Sequence, residues 1–462
     1  MIPPGRSAIT HPPTSPVVRL LAFVTEVRPA ETTTALLMTL NGFLLLMAYS
    51  CIKPLREALI LEHPGGAEYK VYMAAATAVV LLAAVPAYAR ASRNLTRNQL
   101  VVGVTLFFAS HLVGLFVLAR ALGNSLPLAL GFYLWVAVFN MMIVAQFWAF
   151  ANDLYNEADG KRLFPLFGLG TSIGAVAGAA VAKTLISRVG SLEMMPVAAV
   201  LLVASAGVAQ WAHRREVSHP RDAESRAAAS SAIGGTAGEG FRTVLAQRYL
   251  LLIALFSLVF TMVKTNGDYV LARIVEDAAH QAVAAGTLHP DRVRDYIGGF
   301  FAGYTLWVDI LSLVLQGVVV SRLVKYFGIG FAFMILPVVA VADATIMTVW
   351  PLLAAVRVGK TVESGIDYSV NNTVRNLLWL PTSRRAKYLA KQATDTFFVR
   401  AGDVSSALLV FLGIELLGGS TRAIAVANIA LAGVWLLLAR AIVKEHAGLH
   451  RVPPTAESAK AA

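Results

Sequence analysis

The stretch Arg357-Val-Gly-Lys-Thr-Val-Glu-Ser-Gly-Ile-Asp-Tyr-Ser-Val-Asn-Asn-Thr-Val-Arg375 puts charge where a mostly apolar chain should carry another greasy helix. At helical spacing Arg357, Lys360, Ser364, Asp367, Asn371 and Arg375 recur every three or four residues and share one face. The other face carries Val356, Val358, Val362, Ile366, Val370 and Val374. An ionisable stripe on a membrane helix cannot face lipid, because each charge buried there is costly. It must line water or pair with other helices. The spacing therefore predicts a membrane helix that forms one wall of a solute path, followed by a basic turn over 382–395.

Composition agrees with a bilayer setting. Of 462 residues 57% are hydrophobic and 14% charged, whereas a soluble domain carries about 25% charged residues. The expected fold is an all-α membrane protein. Apolar runs of about 20 residues, enough to span a bilayer, lie near 33–52, 69–90, 99–120, 126–150, 164–187 and 193–212. A second set lies near 248–272, 297–320, 328–349, 352–378, 393–417 and 421–443. Twelve transmembrane helices in two six-helix bundles are thus expected, at 31–213 and 242–445. A polar linker at 214–241 joins them, with tails at 1–30 and 446–462. The first thirty residues lack the apolar core and cleavage site of a signal peptide.

Loop charges predict the orientation. With both termini inside, the inner loops hold Arg90, Arg93 and Arg97, then Lys161 and Arg162, the linker's Arg214, Arg215, Arg221 and Arg226, Arg322 and Lys325, and finally Arg384, Arg385 and Lys387. The outer short loops offer Arg120, Lys183, Arg188 and Arg422. Most of the net charge of +12 is then a topology signal, and no nucleic-acid partner is expected.

Several constellations sit inside the expected spans. Tyr49, Lys53 and Arg56 share a face, with Pro54 and Glu57 beside them. They line a cavity, or Lys53 and Arg56 snorkel to headgroups and Glu57 pairs with one of them. Gly170, Gly174 and Gly178 stand four apart, a spacing that lets helices touch backbone to backbone. Lys264-Thr-Asn-Gly-Asp268 reads either as a locally interrupted helix at a cavity or as an internal i,i+4 ion pair. Asp309 and Asp343 are single acids in apolar spans, and with Glu363 they are the candidates for carrying a coupling proton.

Enzyme chemistry finds no footing. Gly359-Lys360-Thr361 imitates the end of a phosphate loop, but Ala354 replaces the required glycine and no strand precedes it. The nine histidines form no metal-binding pair and Cys51 is the one cysteine, so neither a metal site nor a disulfide is expected. No cofactor is expected either.

Two resemblances sharpen this reading. Gly317 to Gly328 and Pro86 to Arg97 each resemble the loop signature of the major facilitator superfamily, although both lack its acidic residue. That resemblance, with six-plus-six spans, implies a repeat-built transporter rocking about a central site. More specifically, Phe147-Trp-Ala-Phe-Ala-Asn-Asp153 with Lys161-Arg-Leu-Phe-Pro-Leu-Phe-Gly168 resembles the nucleotide transporters of plastids and bacteria, the ATP/ADP translocase type. So do Asp367-Tyr-Ser369, Lys387-Tyr-Leu-Ala-Lys-Gln-Ala-Thr-Asp395 and Arg400-Ala-Gly-Asp403. By position the family's helix-one lysine falls on Arg56, its acid before a Lys-Arg pair on Asp159, and its basic residue ahead of helix eleven on Lys391. Its helix-seven acid falls near Lys264, with Asp268 one turn on.

The resemblance implies transport of a nucleotide or similar phosphorylated anion, by exchange or coupled to protons. Lys53, Arg56, Asp159, Lys264, Asp268, Arg357, Lys360, Asp367, Asn371 and Lys391 are the candidate substrate-binding residues. Arg400 is a further cation, and Tyr49, Trp148, Tyr304, Trp307 and Tyr368 are candidate stacking partners. The alternative is a proton-coupled carrier or exporter of another organic solute. The expected setting is a bacterial inner membrane with both termini cytoplasmic, and the expected working unit is a monomer.

Overall fold

Every regular element is a helix among the residues that the computed structural model describes: 25, 27–28, 31–91, 96–155, 157–218, 237–382 and 384–449. Most of the expected N-terminal tail, the linker over 219–236 and the C-terminal tail from 450 lie outside the described residues, as do Arg93, Arg221 and Arg226. The side chains of Arg97, Lys161, Arg384, Arg385 and Lys387 also lie outside them.

The first six helices are α1 (Thr32–Leu61), α2 (Gly66–Ala91), α3 (Arg97–Leu122), α4 (Leu126–Leu154), α5 (Glu157–Val189) and α6 (Met194–Ser218). They enclose an apolar core whose largest members include Phe132, Phe139, Phe147, Phe150 and Phe167. Local sequence sets the ends. Thr96 and Gln99 form a reciprocal capping box at the start of α3, and Pro127 sits in the first turn of α4.

After a short α7 (Ala237–Ala246) come α8 (Arg248–Ala284), α9 (Val293–Val314) and α10 (Val320–Val349). They are followed by α11 (Leu353–Ile366), α12 (Asn372–Leu377), α13 (Arg384–Ala393), α14 (Val399–Val410) and α15 (Thr421–Leu449). These surround a second core built on Phe256, Phe260, Phe333 and Trp435. Turns of π-helix interrupt this half at Leu315–Val319, Asp367–Asn371, Thr394–Phe398 and Phe411–Leu416.

Ten helical rods among the described residues are long and apolar enough to cross a bilayer. One of them, Pro290–Val349, is 60 residues long and contains the two expected spans 297–320 and 328–349. Inside α10 the helix breaks at Gly328, whose φ of 78° suits a residue without a β-carbon. The expected span over 352–378 is helical apart from its first and last residues and is absent from the ten. It carries Arg357, Lys360, Glu363, Asp367 and Arg375, too much charge for a purely apolar criterion.

Inside a bilayer, tails compete with apolar side chains, so close packing rather than burial holds helices together. The α1–α5 contact shows this. A β-carbon at Gly174 or Gly178 would collide with the carbonyl oxygens of Phe43 and Met47, and one at Gly170 would lie 2.8 Å from that of Thr39. The glycine ladder read from the sequence is therefore a backbone-to-backbone seam.

The two halves meet where α1 and α5 pack on α9 and where α2 packs on α8 and α14. At the α1–α2 end this seam is sealed. A mixed cluster joins Ala58, Leu61 and Val71 of the first half to Tyr269, Val275 and Ile297 of the second. Glu276 of α8 accepts hydrogen bonds from the Gly65 and Ala67 amides at 3.1 and 3.2 Å, capping α2 from across the seam. Tyr269 donates to Glu68 at 2.8 Å, and Asp295 accepts from the Ser191 amide and hydroxyl, both at 2.8 Å. At the opposite end the seam parts into a crevice of about 630 Å³ lined by α1, α5, α9 and the π-turns.

Candidate functional site

Of the charged stretch, Tyr368 and Asn372 line that crevice, and the stretch carries a shift the sequence did not foresee. The turn Asp367–Asn371 is π-helical, so the face is not continuous from Arg357 to Arg375. Val356, Val370 and Val374 are buried, while Val358 and Val362 are exposed on the outside of the bundle. The single apolar face expected from regular helical spacing is thus split between core and surface.

Across from this stretch runs α8, and the two form a ladder of ion pairs with alternating polarity. Lys264 of α8 pairs with Asp367 at 2.6 Å, and Lys360 of α11 pairs with Asp268 at 3.1 Å. Neither expectation for Lys264 to Asp268 holds. Each residue chooses a partner on the other helix, and α8 runs unbroken through Asn266 and Gly267. Gly267 leaves the space: a β-carbon there would stand 2.9 Å from the Lys360 ammonium. Lys360 is 1% exposed and also pairs with Glu363 at 2.6 Å. A charge so enclosed is tolerable only with partners this close. Asn371 donates to the second oxygen of Asp367 at 2.9 Å and holds that carboxylate in place.

Lys53 is different. Among the described residues it makes no ion pair; its ammonium lies 5.6 Å from the centroid of the Tyr368 ring. Lys264 approaches the same ring at 4.9 Å. Two cations from opposite halves therefore converge on one aromatic ring, a favourable but weak neutralisation. Tyr368 is 40% exposed and lines the crevice with Asn372, Asp309 and the Pro165 to Ala175 wall of α5. Asp309 lies within electrostatic reach of Lys53, and its Oδ2 has no hydrogen-bond partner among the described residues.

The remaining expected residues sit elsewhere. Arg56 pairs with the neighbouring Glu57, which Lys70 of α2 also reaches at 2.8 Å, and its guanidinium lies over the Tyr133 ring at 4.6 Å. Sequence reading gave Lys70 no role; its signal was a lysine inside an apolar run. Asp159 belongs to a cluster at the start of α5 with Arg162 at 2.9 Å and Arg28 at 3.5 Å, where Arg162 also pairs with Glu31. Arg357 stacks over Phe300 at 5.4 Å, in the space that Gly303 leaves open. Lys391 donates to Asn376 at 2.8 Å. Asp343 of α10 and Glu363 of α11 are buried, Glu363 beside Lys360.

Of the expected stacking partners, Tyr368 is in the crevice lining. Tyr304 exchanges a hydrogen bond with Ser364 at 2.8 Å, and Trp148 packs edge-on against Phe147 and Phe164. Trp307 is 53% exposed.

Comparison with known proteins adds a family. Residues 131–446 match the model of the TLC ATP/ADP transporter family. The chain is 23% identical to ADP,ATP carrier protein 1 of Chlamydia trachomatis, over 94% of this chain and 93% of that protein. It is 24% identical to the carrier of the same name from Chlamydia muridarum, over the same shares. Among solved structures the nucleoside transporter NupG, as a point mutant, superposes with a TM-score of 0.64 at 11% identity, covering 88% of this chain and 99% of its own. A bacterial homologue of the lysosomal transporter Spinster superposes at 0.59 and 13% identity, over 93% and 100%. At such identities these structures speak for a shared major facilitator type of fold.

Proposed function

We propose that this chain, which belongs to the TLC ATP/ADP transporter family, carries a nucleotide or related phosphorylated organic anion across a membrane by alternating access. The observation that carries this reading is the meeting of Lys53 and Lys264 over Tyr368 at the crevice. A phosphate brings the negative charge that Lys53 lacks and competes with Asp367 for Lys264. Once both ammoniums turn to phosphate, the Tyr368 face is free for a nucleobase. A crevice of about 630 Å³ falls within the roughly 300–1,000 Å³ usual for ligand sites.

The two halves rock about this site, opening the sealed end as the crevice closes. On the loop charges, the sealed end faces outward and the crevice faces the cytoplasm of a bacterium, with both termini inside. Arg56, Asp159, Asp268, Arg357, Lys360, Asn371 and Lys391 then act around the primary contact, supporting or guiding the anion. On this reading the monomer is the working unit.

Uptake of labelled ATP into proteoliposomes tests this. Uptake should saturate and should respond to internal nucleotide or to a pH gradient. Uptake indifferent to both would end the reading.

A further inference from the structure

We propose that Lys183 and Arg357 form a binding site for the headgroup of an anionic phospholipid, on the outside of the bundle near the sealed end of the seam. The site goes beyond the nucleotide-carrier reading and does not depend on it.

The two cations come from different halves and share one gap. A β-carbon at Gly303 of α9 would stand 2.8 Å from Nη2 of Arg357 on α11 and 3.9 Å from Cδ of Lys183 on α5. Neither residue makes an ion pair among the described residues; Arg357 rests over Phe300 at 5.4 Å and Lys183 is exposed. Asp295, about two turns nearer the sealed end of α9, is already held by Ser191 at 2.8 Å and Arg292 at 3.4 Å. Two like charges side by side repel, and one aromatic ring offsets them weakly. A phosphate between them removes the imbalance through charge-assisted hydrogen bonds, and the guanidinium can offer it two N–H groups at once.

Depth and direction select a lipid. Lys183 lies within two turns of the end of α5 at Val189, and Arg357 within two turns of the start of α11 at Leu353. Long cationic side chains at that depth reach the headgroup level of a bilayer. Gly299, one turn before Gly303, has nothing within 4 Å of where a β-carbon would be, so the floor of the groove is open. Trp307 follows Gly303 by one turn and Val314 by three, on the same side of α9, and both are about half exposed. They make an apolar strip leading from the cations toward the bilayer centre, where an acyl chain lies. Asp309 and Ser312 line the crevice from the far side of α9, so a solute there does not meet this gap.

The absence of an acid beside the pair favours an anionic headgroup. A zwitterionic one brings a cation of its own next to two already present. One headgroup touching both residues also bridges α5 of the first half to α11 of the second, a lipid strut across the seam.

Native mass spectrometry of the purified full-length protein, stripped of lipid and titrated with phosphatidylglycerol or phosphatidylcholine, tests the site. Wild type should retain one phosphatidylglycerol about tenfold more tightly than phosphatidylcholine, and the double variant Lys183→Gln, Arg357→Gln should lose that preference. If the double variant fails to fold, Lys183→Gln alone, at an exposed position, should still weaken phosphatidylglycerol by roughly threefold or more. Equal retention of the two lipids by wild type overturns the proposal, and so does a preference unchanged in the variants. Excess inorganic phosphate or ATP should leave the bound phosphatidylglycerol in place. Displacement by either would mark a site for a soluble phosphate and would also overturn it.

Discussion

The two ends of the inter-half seam are built from similar residues and behave oppositely. At the sealed end three acids tie the halves together: Glu276 caps α2, Glu68 takes the Tyr269 hydroxyl and Arg273, and Asp295 takes Ser191. At the crevice, Lys53 rests on a ring and Asp309 keeps a bare oxygen. A satisfied polar network fixes a contact, whereas an unsatisfied one waits for a ligand. The difference teaches where the molecule is locked and where it is poised.

The largest way to break this comparison is at Lys264. Lys264→Ala leaves Asp367 buried without its cation and should cost about 3–5 kcal/mol, read as a fall in thermal stability together with lost ATP uptake. Asp367→Asn added to it should recover stability but not uptake. If the double variant regains uptake, the pair is a structural strut only.

Lys53→Gln should act on function more than on folding. Losing one charge-assisted contact is worth about 1.5–3 kcal/mol, so ATP affinity should fall roughly tenfold or more while thermal stability barely moves. Equal affinity in the variant would remove Lys53 from the site.

At the sealed end, Glu276→Gln weakens a cap that spans the two halves, worth about 0.5–2 kcal/mol. It should raise the reactivity of a cysteine placed at Ser191 toward a thiol reagent added from the sealed side. Unchanged reactivity would mean that the apolar cluster alone holds that end.

The smallest expected effect lies at the Glu31–Arg162 cluster, beside the start of α1. Burial alone would raise the Glu31 carboxyl, but hydrogen bonds from Arg162 and from the Arg28 amide hold it below its ordinary value of 4.5. A depressed folded value means its stabilisation is present above that ordinary value and is lost as pH falls through the folded one. Acid unfolding should therefore begin below pH 4.5, and Glu31→Gln should flatten that part of the stability profile. A profile identical to wild type would contradict the assignment.

Much of this was legible in the sequence because it depends on composition and period. Apolar runs marked the rods, the glycines at 170, 174 and 178 marked a close-packing face of α5 without naming α1 as its partner, and the stripe from Arg357 marked a polar helix. Pairing was not legible. Nothing local says that Lys264 prefers Asp367 to Asp268, because that choice needs the antiparallel placement of α8 and α11. The π-turn at Asp367 was equally hidden, since it is one extra residue in an otherwise helical pattern. Arg56 and Asp159 came from family resemblance; Lys70, which shares Glu57 with Arg56, lies on α2, and Arg28, which pairs with Asp159, lies in a preceding segment.

The central claim is that an anion enters the crevice and lodges on Lys53. Asn372 lines the crevice and is exposed, and the native Cys51 is buried, so Asn372→Cys gives one accessible thiol among the described residues. ATP should slow its alkylation in a saturable way, and adding Lys53→Gln should abolish that protection. Alkylation at the same rate with and without saturating ATP would contradict the account.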